Sequence, residues 1–276
     1  MNLVVQGEDV DSVALKTVAK LAGARAIEQI TPQAFRVIAA ADHPDIAGVC
    51  EKAQLDWAWI APECRLGDFG LFVTDMDSTL INIECIDEIA DMQGLKAEVA
   101  AITEAAMRGE IDFTESLTRR VSLLAGLPES ALAEVYEQRL RLNPGAERLM
   151  QGLKRAGIHT VLVSGGFTYF TERLKERLDF DEAHANQLEV REGRLTGRVS
   201  GPVVDGAAKA EHLRTTRERL GLRPDQVIAA GDGANDIPML TEAGFGVAYH
   251  AKPVLREIAD CRLDYVGLDG LLNLFA

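Results

Sequence analysis

Two aspartates lie two positions apart in the stretch FVTDMDSTL, residues 72–80. The apolar residues that open the stretch predict a buried strand, and Asp75 and Asp77 follow at its end. An unpaired buried carboxylate is unfavourable, so a neighbouring positive charge has to compensate the pair. A turn or a helix cap explains a DST sequence equally well when it is taken alone. The rest of the chain therefore decides whether the two carboxylates take part in chemistry.

Three other polar segments accompany predicted strands in a similar way. SGGF at residues 164–167 follows one strand, GDGAND at residues 231–236 follows another, and Lys209 lies shortly before the second of these strands. Open α/β sheets bind their ligands at the carboxyl ends of parallel strands. Segments that are far apart in sequence are therefore predicted to meet in one site. Taken singly, each has a simpler explanation, as a glycine turn or as a solvated helix residue.

The charges of these segments predict a metal-assisted phosphate site. A shared site would gather four carboxylates, more than it can hold without a cation: Asp75, Asp77, Asp232 and Asp236. Because every ligand would be an oxygen atom, a hard ion such as Mg²⁺ is favoured. Lys209 adds a positive charge, and the amides at the start of the helix after SGGF suit an anion.

Such a site supports the attack of a carboxylate on phosphorus. One aspartate of the DMD pair would be the nucleophile and would form an aspartyl phosphate. The other would give a proton to the departing alkoxide and then take a proton from the hydrolytic water. Its pKa would have to lie above the ordinary value of about 3.9 for it to do so near neutral pH.

The apolar pattern predicts the elements that hold these residues. From Gly70 onward, apolar strands alternate with amphipathic helices, which is typical of an α/β fold with a mostly parallel sheet. Strands are predicted at residues 69–75, 158–164, 226–232, 244–249 and 263–266, with a β-hairpin at 187–199 that turns at Glu192-Gly193. Residues 84–143 carry helical patterns and are too long for a simple crossover, so they predict a helical cap after the first strand.

Residues 1–68 are predicted to form a small α+β domain, separate from residues 69–276. Strands are predicted at 2–7 and 35–40 and helical spacing at 12–24, with a helix and a third strand within 43–60. The pattern resembles a truncated ferredoxin-like or ACT-like module, a type that binds small amino acids in biosynthetic enzymes. One hypothesis is therefore that the protein is mainly an amino-acid sensor. The alternative, which we favour, is a stabilising appendage or one that forms a homodimer.

Composition argues against several classes of protein. A net charge of −14 and an isoelectric point near 4.8 argue against a nucleic-acid partner. The 276 residues contain no apolar run that approaches the roughly 18 residues of a membrane span. The N-terminus lacks the basic region of an export signal. The four cysteines show no metal-ligand spacing, so we expect reduced thiols and a cytoplasmic location.

Together, DxDST, SGG, the lysine and GDGxND resemble the motif set of the haloacid-dehalogenase-type (HAD) phosphatases over residues 69–276. The combination is specific, whereas DxD alone would be a weak signal. The resemblance implies a Rossmann-like core with an inserted cap, Asp75 as the nucleophile and Asp77 as the general acid/base. The Mg²⁺ ligands that it implies are Asp75, the backbone carbonyl of Asp77, and Asp232, with Asp236 close by. The residues that it implies for phosphate or substrate are Ser164, Gly165, Lys209 and Asn235.

Within that family, the cap resembles that of the phosphatases that act on phosphoserine. This substrate carries an ammonium group and a carboxylate besides its phosphate. Glu84 matches the family's partner for the ammonium group, and Arg120 matches its clamp for the carboxylate. Met107 and Phe113 fall where the family lines its pocket, although cap core explains them equally well. The alternatives left open are another small phosphate ester, such as phosphohomoserine, and a phosphotransferase activity.

Overall fold

The computed structural model describes residues 1–276 apart from the side chain of Met107, so the pocket-lining prediction for that side chain lies outside the described residues. The strands, in chain order, are β1 (Asn2–Gln6), β2 (Ala26–Thr31), β3 (Ala34–Ile38), β4 (Asp56–Ile60), β5 (Leu71–Thr74), β6 (His159–Phe167), β7 (Glu182–Arg191), β8 (Arg194–Ser200), β9 (Val227–Gly231), β10 (Phe245–Tyr249) and β11 (Cys261–Leu263). The helices are α1 (Ser12–Leu21), α2 (Asp45–Lys52), α3 (Cys85–Met92), α4 (Lys96–Met107), α5 (Phe113–Ser122), α6 (Ser130–Gln138), α7 (Ala146–Arg155), α8 (Thr168–Leu178), α9 (Gly206–Arg219), α10 (Ile237–Glu242), α11 (Pro253–Arg256) and α12 (Gly270–Leu274). Across the part of the chain that the structure describes, no helix is both long and apolar enough to cross a membrane.

Two β-sheets organise these elements. The larger has seven strands in the order β11-β10-β9-β5-β6-β7-β8, and the smaller has four in the order β2-β3-β1-β4. Neighbouring strands of the large sheet are parallel except for β7 and β8. The predicted α/β class, with a mostly parallel sheet and a small α+β N-terminal domain, is confirmed.

Alternate residues of β5 face two separate apolar cores, one on each side of the large sheet. Leu71 and Val73 pack into a core that includes Leu213 of α9 and Met239 of α10. Phe72 belongs to the other core, which includes residues of α7 and α8. Because apolar side chains are needed on both faces, the strand is a continuous apolar run rather than an alternating one.

The helices α3 to α6 lie between β5 and α7, within the predicted cap segment 84–143. Ile81 pairs with Leu142 in an antiparallel bridge. The side-chain amide of Asn143 donates to the backbone carbonyls of Thr79 at 2.8 Å and Ile81 at 3.0 Å. The chain therefore leaves the core and returns to it at one place, which we call the neck (Thr79–Ile81 with Leu142–Asn143).

The hairpin predicted at 187–199 is formed by β7 and β8. Its turn residues Glu192 and Gly193 have left-handed φ values of 51° and 71°, the geometry of a tight two-residue hairpin turn. β7 begins earlier than predicted because its first half pairs in parallel with β6 and its second half pairs with β8. The polar residues of that first half obscure the strand in the apolar pattern.

The N-terminal domain has the complete element order βαββαβ, which is that of the ferredoxin-like fold. The module is therefore not truncated, and the strand that the sequence pattern missed is β2. β2 forms one edge of the small sheet, and its first four residues are exposed. A strand with no buried face gives no period-two apolar signal.

The carboxylate of Asp56, the first residue of β4, joins the N-terminal domain to the large domain. Asp56 is 3% exposed and accepts hydrogen bonds from the backbone N–H groups of Asp264 at 2.8 Å, Tyr265 at 2.9 Å and Val266 at 3.0 Å. Burial raises the pKa of Asp56 to about 6, although these hydrogen bonds favour the ionised form. β11 lies earlier than the predicted strand because these three amides bond to Asp56 instead of to a neighbouring strand.

Asp56→Ala is expected to lower the free energy of unfolding by about 3 kcal/mol, because it leaves three part-buried N–H groups without their acceptor. Urea unfolding followed by circular dichroism measures the change. Asp42→Ala, at an exposed position, is the control and should alter stability by less than about 0.5 kcal/mol. Equal stability of the two variants would contradict the role of Asp56 as a joint between the domains.

Candidate active site

A cavity of about 220 Å³ lies at the carboxyl ends of β5, β6 and β9, against the cap. The predicted site residues that line it from the core are Asp75, Asp77, Ser164, Gly165, Asp232 and Asn235. Those that line it from the cap side are Glu84 and Arg120, together with Phe113. Lys209 lies behind the cavity floor, fully buried.

The end of β5 places both aspartates at the cavity. The N–H of Asp75 donates to the carbonyl of Ala230 in β9 at 3.0 Å, so the ladder continues one residue past the strand. The next residue, Met76, is buried in the core, and its carbonyl accepts hydrogen bonds from the following turn. Ser78 has a left-handed φ of 58° within this turn. Asp75 and Asp77, on either side of Met76, both line the cavity.

The ammonium group of Lys209 is buried between two carboxylates. Its Nζ lies 2.6 Å from Oδ1 of Asp75 and 2.7 Å from Oδ1 of Asp236. Burial by itself would lower the pKa of Lys209, but the two carboxylates raise it above its ordinary value, so the lysine is charged. Oδ2 of Asp236 accepts from the N–H groups of Asp232 and Gly233, at 3.1 Å each. Asp236 therefore holds both the lysine and the GDGAND turn.

Three buried carboxylates converge beside this lysine. Oxygen atoms of Asp75, Asp232 and Asp236 lie within 4.8 Å of one another. Burial and the charge of Asp236 raise the pKa of Asp75 and bring that of Asp232 to about 6. A cation relieves this crowding, and an all-oxygen donor set fits a hard divalent ion. Because both oxygens of Asp236 already accept hydrogen bonds, Asp75 and Asp232 are better placed to bind such an ion.

Asp77 has a different environment from Asp75. Burial, followed by the negative charge of Glu84, raises the pKa of Asp77 to about 8. The N–H of Cys85 donates to Oδ1 of Asp77 at 3.4 Å, and the hydroxyl of Ser78 donates to Glu84 at 2.8 Å. This raised pKa favours the protonated carboxyl group of Asp77 near neutral pH, which is the form that can give a proton to a leaving group.

The SGG segment forms part of the cavity wall at the end of β6. The buried hydroxyl of Ser164 accepts a hydrogen bond from the N–H of Gly166 at 2.8 Å. A Cβ at Gly166 would lie 2.8 Å from Oδ2 of Asp77, and a Cβ at Gly165 would lie 2.8 Å from the ring of Phe113. Both contacts are too close, so a side chain at Gly166 would displace Asp77 and one at Gly165 would displace Phe113 of the cap. β6 continues through this segment, and α8 begins only at Thr168.

The two adjacent arginines of α5 point in different directions. Arg120 lines the cavity, and its Nε donates to the carbonyl of Ser116 at 3.4 Å. Arg119 is exposed and pairs with Glu115 on the outer surface. Arg120, the arginine that the resemblance implies for the substrate carboxylate, is therefore the one that faces the cavity.

Sequence reasoning missed two charged residues that line the cavity, Asp87 and Lys252. Asp87 lies in the first turn of α3, three positions after Glu84, the residue that precedes this helix. Lys252 lies three positions after the end of β10, and the rule that ligands bind beyond strand ends could have found it.

The fold and this cavity define the class of protein. Residues 72–241 match the family of haloacid dehalogenase-like (HAD) hydrolases. The chain belongs to this family. Residues 3–46 match a separate domain of unknown function.

Proteins similar to this chain include enzymes named phosphoserine phosphatase. One from Polaromonas sp. is 56% identical over 218 residues, which cover 77% of this chain and 92% of that protein. The crystal structure of a probable phosphoserine phosphatase from Vibrio cholerae, in unliganded form, has a TM-score of 0.87 and 36% identity over 99% of this chain and 86% of that one. A phospho-aspartyl intermediate analogue of phosphoserine phosphatase has a TM-score of 0.71 and 41% identity over 75% of this chain and 99% of that one. The resemblance drawn from the motifs is confirmed.

Proposed function

We propose that this protein hydrolyses O-phospho-L-serine to L-serine and phosphate through an aspartyl phosphate, the last step of serine biosynthesis. The observation that carries the proposal is the pair Asp75 and Asp77 at one cavity, the first held by Lys209 and the second with a pKa of about 8. Relatives named phosphoserine phosphatase match most of the chain, which supports the same substrate here.

The two aspartates divide the reaction between them. In the first step an oxygen of Asp75 attacks phosphorus and the bond from phosphorus to the serine oxygen breaks, while Asp77 gives its proton to that oxygen. In the second step a water molecule attacks the phosphorus of the aspartyl phosphate and gives its proton to Asp77. The bond to Asp75 then breaks and phosphate is released. Lys209 stabilises the charge of Asp75 when its carboxylate is free.

We propose Mg²⁺ as the metal, held by Asp75, Asp232 and the backbone carbonyl of Asp77. When bound, the ion neutralises charge on the phosphoryl oxygens and on the carboxylates. The buried oxygen cluster supports this assignment. The residues that we propose to hold the phosphate or approach the substrate are Ser164, Gly165, Lys209 and Asn235.

Selectivity for phosphoserine requires one anion and one cation beyond the phosphate site. Glu84 and Arg120 line the cavity from the cap side. We assign the ammonium group of the substrate to Glu84 and its carboxylate to the planar fork of Arg120. A cavity of about 220 Å³ suits a substrate as small as an amino-acid phosphate.

Release of inorganic phosphate from phosphoserine tests the proposal. We expect turnover with Mg²⁺ and its loss with a chelator. A protein that releases no phosphate with either Mg²⁺ or Mn²⁺ would contradict it. One alternative is a phosphatase for another small ester, such as phosphohomoserine, and a higher kcat/KM on phosphohomoserine than on phosphoserine would favour it. The other is a phosphotransferase, which faster transfer of phosphate to an added alcohol than to water would favour.

Arg120→Ala is expected to lower kcat/KM for phosphoserine about 100-fold, because a charged contact to the carboxylate is lost. The same substitution should change kcat/KM for phosphoethanolamine, which lacks the carboxylate, by less than about threefold. Arg119→Ala is the matched control, since this neighbour faces outward. Equal losses of kcat/KM on both substrates would contradict the assignment of Arg120 to the carboxylate of the substrate.

For the N-terminal domain we propose a stabilising role, supported by the hydrogen bonds of Asp56 to the large domain. We also propose a cytoplasmic location, supported by four free cysteines. We also propose a homodimer, and sedimentation analysis can measure the oligomeric state.

Titration of serine into the full-length Asp75→Asn protein tests the sensor hypothesis, which predicts a second binding event besides that at the active site.

A further inference from the structure

The cavity has to attract an anion although most of its charged walls are negative. Among the described residues, four carboxylates besides Asp77, whose raised pKa favours the neutral form, line it against two cationic side chains, Arg120 and Lys252. The whole chain carries a net charge of −14, so the field outside the cavity also repels a phosphate ester. Lys209 lies behind the floor and is held by two carboxylates. A cation at the mouth therefore has the largest influence on an approaching anion, and Lys252 has that position.

Lys252 is fixed at its backbone and loosely held at its ammonium group. Its N–H donates to the carbonyl of Asp232 at 2.8 Å. Its side chain is 59% exposed, and its Nζ lies 3.8 Å from Oδ2 of Asp232. A contact of this length at an exposed lysine contributes little to stability, so the ammonium group can leave it readily.

The partner of this ammonium group is also a proposed metal ligand. Once the carboxylate of Asp232 is engaged by a divalent ion, its negative charge is compensated and its attraction for Lys252 falls. The ammonium group, on a flexible four-carbon stem, can then turn towards an anion in the cavity. Arg120 is less suited to this task because its fork is assigned to the carboxylate of the substrate.

We propose that Lys252 is a positioning residue that attracts the phosphate group of the substrate to the cavity mouth and holds it there. The proposal rests on the proposed function and adds an exposed cation to the groups already assigned to the phosphate. It also explains how a strongly acidic protein collects an anionic substrate.

Lys252→Gln tests the proposal because it removes the charge and keeps most of the side-chain length. We expect KM for phosphoserine to rise about tenfold, with a smaller change in kcat. Lys252→Arg should restore most of the affinity. Lys16→Gln is the matched control, since it removes one positive charge at an exposed position of α1; its KM should equal that of the unaltered protein.

Ionic strength separates an effect of charge from one of structure. The screening length is about 10 Å at 0.1 M salt, so the ratio of KM between Lys252→Gln and the unaltered protein should shrink as salt is added. A ratio that is the same at low and high salt would overturn the proposal. So would a loss confined to kcat, or a KM equal to that of Lys16→Gln.

Binding of inorganic phosphate keeps the test independent of the substrate. Calorimetry on the full chain with Mg²⁺ should give a Kd for phosphate about tenfold higher in Lys252→Gln than in the unaltered protein. If phosphoserine is not hydrolysed but phosphate binding still depends on Lys252, the proposed substrate is wrong and the role of Lys252 stands. Equal phosphate affinity in the two proteins, or none in the unaltered protein, overturns the role.

Discussion

Asp75→Asn is expected to lower kcat on phosphoserine by at least about 10⁴-fold, because an amide oxygen is a far weaker nucleophile than a carboxylate. The shape of the side chain is kept, and its oxygen can still accept a hydrogen bond from Lys209. Release of inorganic phosphate measures the loss. Mass spectrometry of acid-quenched protein should find a phosphoryl group on Asp75 in the unaltered chain and none at this position in the variant.

Asp75→Glu is the matched variant for this experiment. It keeps the negative charge but moves the carboxylate by one methylene group, so kcat should still fall by at least about 100-fold. Thermal unfolding of both variants shows whether the fold is retained. Turnover by folded Asp75→Asn protein within tenfold of the unaltered rate would rule out the covalent route.

Lys209→Gln is expected to lower both stability and activity. The substitution leaves Asp75 and Asp236 buried without the ammonium group that now lies 2.6 and 2.7 Å from them. Removal of one partner from a buried ion pair destabilises a protein by about 3–5 kcal/mol. We also expect kcat to fall at least about 100-fold, because the nucleophile loses its fixed cation. Calorimetry in chelator measures the stability, and phosphate release with Mg²⁺ measures the activity.

A double variant separates these two effects. In Lys209→Gln/Asp236→Asn only one of the two buried carboxylates remains without a cation, so part of the lost stability should return. The activity should stay low, since Asp75 still lacks the lysine. Lys16→Gln should resemble the unaltered protein in both measurements. A Lys209→Gln protein that unfolds at the unaltered midpoint in chelator would contradict the charged state described for these three groups.

The position of the site could be predicted because its segments come at the ends of strands. The segments DMDST and GDGAND follow β5 and β9, and SGGF ends β6. Parallel strands bring their carboxyl ends to one edge of a sheet. A run of apolar residues is therefore enough to indicate where each polar segment lies, without knowledge of the packing.

The features that could not be predicted depend on contacts between remote parts of the chain. The depth of Lys209 behind Asp75 follows from how α9 packs on the sheet, and no local pattern records it. The strand β2, which the sequence pattern missed, is held in the small sheet only by its pairing with β3. Likewise, Lys252 belongs to no motif, and the bend after β11 exists because Asp56, about 200 positions earlier, accepts its amides.

The neck has a consequence for how this enzyme family can diversify. Because Ile81 and Leu142 lie side by side, the segment between them is an insertion whose two ends already meet. Its length and sequence can change while the sheet that carries the aspartates stays closed. A foreign lid grafted between these two residues therefore changes substrate choice while the sheet keeps the aspartates in place, provided that the graft retains Glu84 and Cys85, which surround the carboxyl group of Asp77.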